Sequence, residues 1–179
     1  GLDLAVRAFP RVLDAAPEAE FHIYGDGIMK PALVALARDL GLAQRVLFFP
    51  PLPIAQIARV MANADVGIVP KRADSFGDEA YSTKIMEFMS LGVPVVVART
   101  RVDQHYFDDS LLRFFDSGNV DALAEAVVET LRDTRARQAR VARALAYAET
   151  HSWQSRHTEY LALIDQLAPA RSAATASHA

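Results

Sequence analysis

The chain has 179 residues, of which 51% are hydrophobic, and a formal net charge of −3. These values suit one globular domain with a substantial core, and they lack the basic surplus that nucleic acid as a partner would require. The absence of cysteine excludes disulfide bonds and thiolate metal sites, and no apolar run approaches the ~20 residues that span a bilayer.

Short apolar runs alternate with amphipathic segments along the first two thirds of the chain. A helix is predicted over residues 2–16, and Pro10 is expected to kink it. Strands are then predicted over residues 20–24, 46–49, 66–69, 94–98 and 112–115. Further helices are predicted over residues 28–40, 54–62, 82–91, 120–131, 134–149 and 153–167. Residues 1–167 form one predicted domain, and the Ala/Ser-rich residues 168–179 are predicted to be disordered.

The order of these elements predicts the fold class. The strands are unbroken apolar runs rather than in–out alternations, and residues 95–97 have the β-branched character of a central strand. Both features predict an α/β fold with a Rossmann-like, doubly wound parallel sheet. Because the chain opens at Gly1 with a helix, where such a sheet normally opens with a strand, we expect the first strand and further upstream sequence to be missing.

The polar segment after the third predicted strand is the candidate site, because ligands bind at the carboxyl ends of parallel strands. Glu79 precedes a predicted helix, and Glu87 lies one to two turns inside it. The unbonded amides around Ser82 and Thr83 suit a phosphate, and a carboxylate can accept two hydrogen bonds from a vicinal diol. A phosphate flanked by two polyols describes a nucleotide sugar. Carboxylates at this position also serve commonly as caps and dipole partners, and the charge pattern alone favours that structural role over a ligand role.

Glu79 and Glu87, followed by Phe-Met-Ser-Leu-Gly-Val-Pro-Val-Val over residues 88–96, resemble the Glu-x7-Glu signature of the large retaining GT-B glycosyltransferase family (family 4-like, group 1). Further segments match in family order, at residues 1–5, 21–27, 46–49, 64–70 and 152–153. The resemblance covers about residues 1–167. It implies the C-terminal half of a GT-B fold, in which this domain binds the donor for carbohydrate biosynthesis.

The resemblance implies a role for each matching residue. Glu79 would be catalytic, contacting the donor-sugar hydroxyls near the reacting carbon, and Glu87 would hold the ribose hydroxyls. The amides of Ser82, which stands where many members have glycine, and of Thr83 would meet the diphosphate. The remaining predicted donor-binding residues are Tyr81, Gly25, Gly27 and Lys84. For Gly25 and Gly27, an ordinary turn at the end of a strand is an equal alternative. Pro50 replaces a common family glycine, which leaves the position of the base open.

The resemblance also implies what surrounds the site. It implies no metal and no cofactor, with a nucleoside-diphosphate sugar as co-substrate and retention of configuration. The family's phosphate-binding Arg and Lys and its acceptor-binding domain would lie upstream of Gly1, so we expect this fragment alone to be inactive. Lys84 is the nearest cation that could substitute for the upstream Arg and Lys, and a donor-binding role and a solvent-facing position are equal alternatives for it. Lys71 and Arg72 are expected in a solvated loop.

The acceptor is expected to be a sugar or a lipid-linked molecule, and the protein is expected to be cytoplasmic. The basic stretch from Arg132 to Arg143 is expected to be a solvated helix face, with peripheral contact to an anionic membrane as the alternative. Two other functions stay open. A sugar-nucleotide epimerase would share the architecture but lack the Glu-x7-Glu frame, and a non-catalytic nucleotide-binding module would bind without turnover.

Overall fold

The computed structural model describes residues 1–167, so the predicted disorder of residues 168–179 lies outside the described part. The helices are α1 (Leu2–Ala15), α2 (Lys30–Asp39), α3 (Ile54–Ala62), α4 (Thr83–Ser90), α5 (Arg101–Tyr106), α6 (Val120–Arg132), α7 (Thr134–Thr150) and α8 (Trp153–Leu167). The strands are β1 (Phe21–Tyr24), β2 (Val46–Phe49), β3 (Gly67–Val69), β4 (Val95–Arg99) and β5 (Arg113–Asp116).

Every strand pair among these is parallel, as predicted. β1 pairs with β2, with Phe21 beside Val46, and β4 lies between β3 and β5, with Val96 beside Ile68 and Arg113. The described strands form two sheets rather than the single predicted one, in the orders β1-β2 and β3-β4-β5. The reason is that β1 and β3 are not hydrogen-bonded to each other, and no strand within residues 1–167 pairs with both.

The residues of β4 show that helices cover both faces of the three-stranded sheet. Val96 and Ala98 belong to the core that contains α1 and α6, whereas Val95 and Val97 belong to the core that contains α4 and α7. All four are at most 1% exposed. A parallel strand buried on both faces is the centre of a doubly wound sheet, so the predicted role of residues 95–97 is confirmed.

The core around α1 joins the two sheets into one body. Phe9 and Val12 of α1 belong to the same buried cluster as Val46 of β2 and Ala98 of β4. Burying one such side chain fully contributes about 1.5–3 kcal/mol, so this face holds both sheets. The helix begins beside the carboxyl end of β3, where Gly1 lies against the Pro70 carbonyl. The helix continues through Pro10 to Ala15.

The last helix differs from the others in its surroundings. α8 has no buried residue and contacts α7. It begins at Trp153, as predicted. Among residues 1–167, no helix combines the length and the apolar character that crossing a membrane requires.

Candidate functional site

Residues 70–82, which connect β3 to α4, are called the site loop. The loop lies at the carboxyl end of β3, where parallel sheets bind ligands. Its middle is a compact turn, because the amide of Asp78 donates to the Asp74 carbonyl at 2.9 Å and that of Ala80 to the Phe76 carbonyl at 2.8 Å. The Asp74 side chain closes the turn by accepting from the Gly77 amide at 2.7 Å. The loop therefore has defined internal structure.

Residues from two neighbouring elements fasten the site loop to the sheet. The Ser117 hydroxyl, just after β5, accepts from the Ala73 amide at 2.7 Å and donates to the Lys71 carbonyl at 3.1 Å. The Asp78 carboxylate accepts from the Arg101 amide at the start of α5, at 3.0 Å. The loop thus brings together the carboxyl ends of β3, β4 and β5.

Helix α5 was not predicted from the sequence, and it brings a buried carboxylate under the site loop. The hydroxyl of Thr100, its N-cap, donates to the Asp103 carboxylate at 2.7 Å. Lys71 Nζ lies 2.8 Å from the same oxygen and donates to the Ala80 carbonyl at 2.7 Å. The expectation that Lys71 is solvated is wrong, because its side chain is 15% exposed and paired. A Thr-x-x-Asp spacing is a capping signal, so α5 was detectable.

Glu79 lies on the turn of the site loop with its side chain 62% exposed. Its carboxylate contacts the Arg101 guanidinium, a neighbour that the sequence reasoning missed because the two are separated by β4. Arg72, expected to be solvated, instead pairs with Asp3 of α1 at 2.6 Å. Burial raises the pKa of Asp3, but the hydrogen bond and charge of Arg72 outweigh it and hold that pKa below its usual value.

The first turn of α4 follows directly, and its amides are open. Ser82 is the N-cap and makes no side-chain cap hydrogen bond. The amides of Thr83 and Lys84 find no acceptor among residues 1–167, whereas the Ile85 amide donates to the Ser82 carbonyl at 3.2 Å. Because a helix start carries roughly half a positive charge and unbonded donors, this turn can receive an anion.

Glu87 lies on the solvent side of α4, one turn further along. Ile85 and Met89 are buried in the core beneath the helix, whereas Glu87, Lys84 and Thr83 are exposed. Side chains on the same exposed side of a short helix can reach one ligand. Glu79, Thr83, Lys84 and Glu87 are therefore exposed along one continuous stretch of chain that follows the carboxyl end of β3.

Tyr81 is turned toward an aromatic cluster. Its ring lies 5.1 Å from that of Tyr106, and the two help to line a surface cavity of about 300 Å³. Burial, followed by the neighbouring Tyr147, Tyr106 and Asp103, raises the pKa of Tyr81 to about 12. Tyr81, 42% exposed, thus packs its ring against α5.

The predicted glycines lie at the other sheet. Gly25 has φ of 132°, donates its amide to the Phe49 carbonyl at 3.2 Å and accepts from Lys30 Nζ at 3.2 Å. Gly27 is exposed and has open space around it. No hydrogen bond within the described part of the chain joins either glycine to the site loop. A place for them in the donor site stays a prediction.

The basic stretch before and along α7 is partly used within the fold. Arg137 donates to the Leu131 carbonyl at 3.1 Å, and Arg143 to the Ser110 carbonyl at 2.9 Å. Burial lowers the pKa of Arg140, whose guanidinium donates to the Asp109 carbonyl at 3.4 Å. The expectation of a solvated face is wrong for Arg137 and Arg140, which are part-buried, whereas Arg132, Arg135 and Arg143 are exposed as expected.

The chain is similar to known glycosyltransferases in sequence. It is 31% identical to a GDP-mannose-dependent alpha-(1-6)-phosphatidylinositol monomannoside mannosyltransferase of Mycolicibacterium smegmatis, over 75% of this chain and 36% of the relative. It is 32% identical to a D-inositol 3-phosphate glycosyltransferase of Acidothermus cellulolyticus, over 98% of this chain and 40% of the relative. The chain thus spans about two fifths of the length of these relatives or less.

Two solved structures share the fold. The Anabaena protein HepE in complex with UDP and glucose matches with a TM-score of 0.73 and 18% identity, over 88% of this chain and 44% of that one. Sucrose-phosphate synthase from Thermosynechococcus elongatus matches with a TM-score of 0.77 and 16% identity, over 93% of this chain and 43% of that one. Residues 1–133 match the family described as glycosyl transferases group 1. The chain belongs to this family and has the fold of the C-terminal half of a GT-B glycosyltransferase.

Proposed function

We propose that this chain is the donor-binding domain of a retaining glycosyltransferase and binds a nucleoside-diphosphate sugar. In the full reaction, the bond between the anomeric carbon and the diphosphate oxygen breaks. A new bond forms between that carbon and an acceptor hydroxyl oxygen, whose proton passes to the departing diphosphate, and the new bond lies on the face that the diphosphate left. The proposal concerns donor binding by residues 1–167, because the relatives are more than twice as long as this chain.

The observation that carries the proposal is the open first turn of α4 between two exposed carboxylates. The Thr83 and Lys84 amides have no acceptor among the described residues, and Glu79 and Glu87 lie before and after them along the chain. Acidic side chains on both sides disfavour a simple anion. They favour an anion whose two ends carry hydroxyls, because a carboxylate accepts hydrogen bonds from a diol.

The two carboxylates receive different roles in this proposal. Glu79, on the loop at the sheet's edge, binds the hydroxyls of the sugar, and Glu87, on the second turn of the helix, binds those of the ribose. The diphosphate lies between them on the amides of α4. Its charge grows as the anomeric bond breaks, and preorganised donors are worth most where charge develops. Two exposed cations adjoin this segment, namely Lys84 on the same turn and Arg101, whose guanidinium contacts Glu79.

The relatives suggest which donors to test first. One relative is named as GDP-mannose-dependent, and the fold neighbour HepE was solved with UDP and glucose. We therefore propose GDP-mannose and UDP-glucose as the first two donors to compare. GDP and UDP without the sugar separate the contribution of the nucleotide from that of the hexose.

Calorimetric titration of the chain tests the proposal. We expect weak binding of at least one of the two nucleotide sugars. Glu87→Gln should weaken the nucleotide and the nucleotide sugar by similar factors, about 10- to 100-fold for one lost charged hydrogen bond. Glu79→Gln should weaken only the nucleotide sugar. Glu125→Gln, an exposed substitution on α6, is the matched control and should change neither affinity.

Two outcomes contradict this account. The first is a wild-type chain that binds none of the four ligands at millimolar concentration. The second is binding that Glu87→Gln and Glu125→Gln leave equally unchanged, because the ribose would then be held elsewhere.

A further inference from the structure

We propose that Lys71 and Asp103 form a buried positioning pair that fixes the backbone carrying Glu79 and the open turn of α4. The inference rests on the proposed function for its consequence in donor binding. Its structural part, the order of the site loop, does not depend on any ligand. Both residues lie beneath the loop and are positioning residues rather than catalytic ones.

The pair is buried and incompletely satisfied. Asp103 is 0% exposed, and its Oδ2 receives both the Thr100 hydroxyl at 2.7 Å and Lys71 Nζ at 2.8 Å. Its other oxygen, Oδ1, is buried and has no hydrogen-bond partner within residues 1–167. A buried carboxylate oxygen without a partner is costly, so this arrangement calls for an explanation other than stability.

Stability alone gives a weak reason for such a pair. Moving two charges out of water costs free energy, and their mutual attraction often does not recover that cost. Apolar residues of similar volume can therefore frequently replace a buried ion pair without loss of stability. One use of a buried polar contact is to select a single conformation among several of similar energy. The second contact of Lys71, with the site loop, indicates which conformation the pair selects.

Lys71 connects the buried carboxylate to one backbone carbonyl of the site loop. Its Nζ donates to Ala80 at 2.7 Å, between Glu79 and Tyr81 and two residues ahead of the N-cap Ser82. Holding that carbonyl fixes the peptide plane between Ala80 and Tyr81. The amide of Ala80, which lies in the preceding plane, donates to the Phe76 carbonyl at 2.8 Å. Together the two contacts orient the backbone that follows Glu79 and leads into α4.

Other contacts hold earlier parts of the site loop, so the pair acts near the end of the loop, just ahead of α4. Ser117 binds the start of the loop, and Asp78 is bound to the start of α5. The final residues before α4 have the Lys71–Ala80 contact and the packing of Tyr81 against Tyr106. The Asp103 carboxylate is near enough to Tyr81 to contribute to the raised pKa of that residue, after burial and the two other tyrosines.

Hydrogen exchange of the intact 179-residue chain tests the pair directly. In Lys71→Met/Asp103→Leu the buried charges are replaced together, so we expect the midpoint of thermal unfolding to stay near that of the wild type. We expect the amides of Asp78, Glu79 and Ala80 to exchange about tenfold faster, because the turn opens locally. Exchange in β4 should not change. Arg113→Met/Glu129→Leu, which removes an ion pair between β5 and α6, is the matched control.

A second double variant allows the same exchange measurement if Lys71→Met/Asp103→Leu does not fold. Lys71→Met/Asp103→Asn retains an acceptor for the Thr100 hydroxyl, removes both charges and should give the same faster exchange at residues 78–80. Asp103→Asn alone keeps an acceptor for Lys71 and should restore most of the protection. A purely structural role predicts instead that exchange rises throughout the chain in proportion to lost stability.

The outcomes separate this inference from the proposed function. Unchanged exchange at residues 78–80 in either double variant overturns the positioning role, whatever the chain binds. Faster exchange there supports it even where the wild type binds no nucleotide sugar, a result that overturns only the proposed function. Where the wild type does bind GDP-mannose or UDP-glucose, we expect the double variant to bind about tenfold more weakly.

Discussion

The ring of Phe88 lies flat against Gly67, so that a Cβ at residue 67 would come within 2.6 Å of the ring. Phe88 belongs to α4 and Gly67 is the first residue of β3. This contact sets how closely the helix approaches the strand. The position of the open first turn of α4 therefore depends indirectly, through Phe88, on the absence of a side chain at residue 67.

Gly67→Ala should destabilise the chain by about 1–3 kcal/mol, the usual cost of overpacking a core, because Phe88 has to move away from β3. Urea unfolding followed by circular dichroism measures the change. Gly27→Ala is the control, since no atom lies within 4 Å of a Cβ there and its φ is not positive. Equal stability of the two variants would show that α4 is not held by this contact.

A second prediction concerns the site loop. The Gly77 backbone approaches the Arg72 carbonyl so closely that a Cβ at residue 77 would overlap that oxygen. Gly77→Ala should therefore open the turn and weaken nucleotide-sugar binding about tenfold or more, with less effect on global unfolding than a core substitution has. Ser75→Ala, an exposed change in the same loop, should leave binding intact. Calorimetric titration with the nucleotide sugar measures the affinity of both variants.

The cap of α5 gives a third prediction. Thr100 is buried, and its hydroxyl is a hydrogen-bond partner of Asp103. Thr100→Val removes that donor and leaves the carboxylate less satisfied, which should cost about 1–3 kcal/mol. Thr100→Ser keeps the hydroxyl and should lose less than half as much in urea unfolding. A valine variant as stable as the serine variant would contradict the importance of this hydrogen bond.

The titration of Tyr81 gives a fourth prediction. Its folded pKa of about 12 lies above the ordinary value of 10.0. The neutral phenol is therefore favoured by folding, and its contribution to stability is complete below pH 10.0 and is lost as the pH rises toward about 12. Difference ultraviolet spectra of the wild type and Tyr81→Phe should show one phenol ionising near the upper value. Ionisation near 10.0 would indicate that the ring is not packed against α5.

Local sequence patterns were sufficient for most elements of the fold. The apolar pattern located the start of α8 at Trp153. The β-branched run at residues 95–97 identified the central strand, because a strand buried on both faces is an unbroken apolar run in the sequence. The pairing into two sheets and helix α5 were not predicted. Pairing depends on contacts between distant segments, and α5 has six residues, too few for a periodic signal.

The candidate site divides in the same way. The segment from Glu79 to Glu87 was predicted because its residues are neighbours along the chain. The partners of that segment were not, since Arg101, Asp103 and Ser117 reach it only through the parallel order of β3, β4 and β5. Lys71 was assigned to solvent because a lysine in a polar loop is usually exposed, and only the three-dimensional structure reveals the carboxylate beneath it.

The most direct test of the central claim is a nuclear magnetic resonance titration of the ¹⁵N-labelled chain with GDP and with UDP. We predict that the amide chemical shifts of Thr83 and Lys84 change most, because the diphosphate binds at the open turn of α4. Those changes should saturate with the same affinity as the changes at residues 79–82. If the largest shift changes occur elsewhere while the Thr83 and Lys84 amide signals do not shift, the diphosphate is not bound at this turn and the account of the site is wrong.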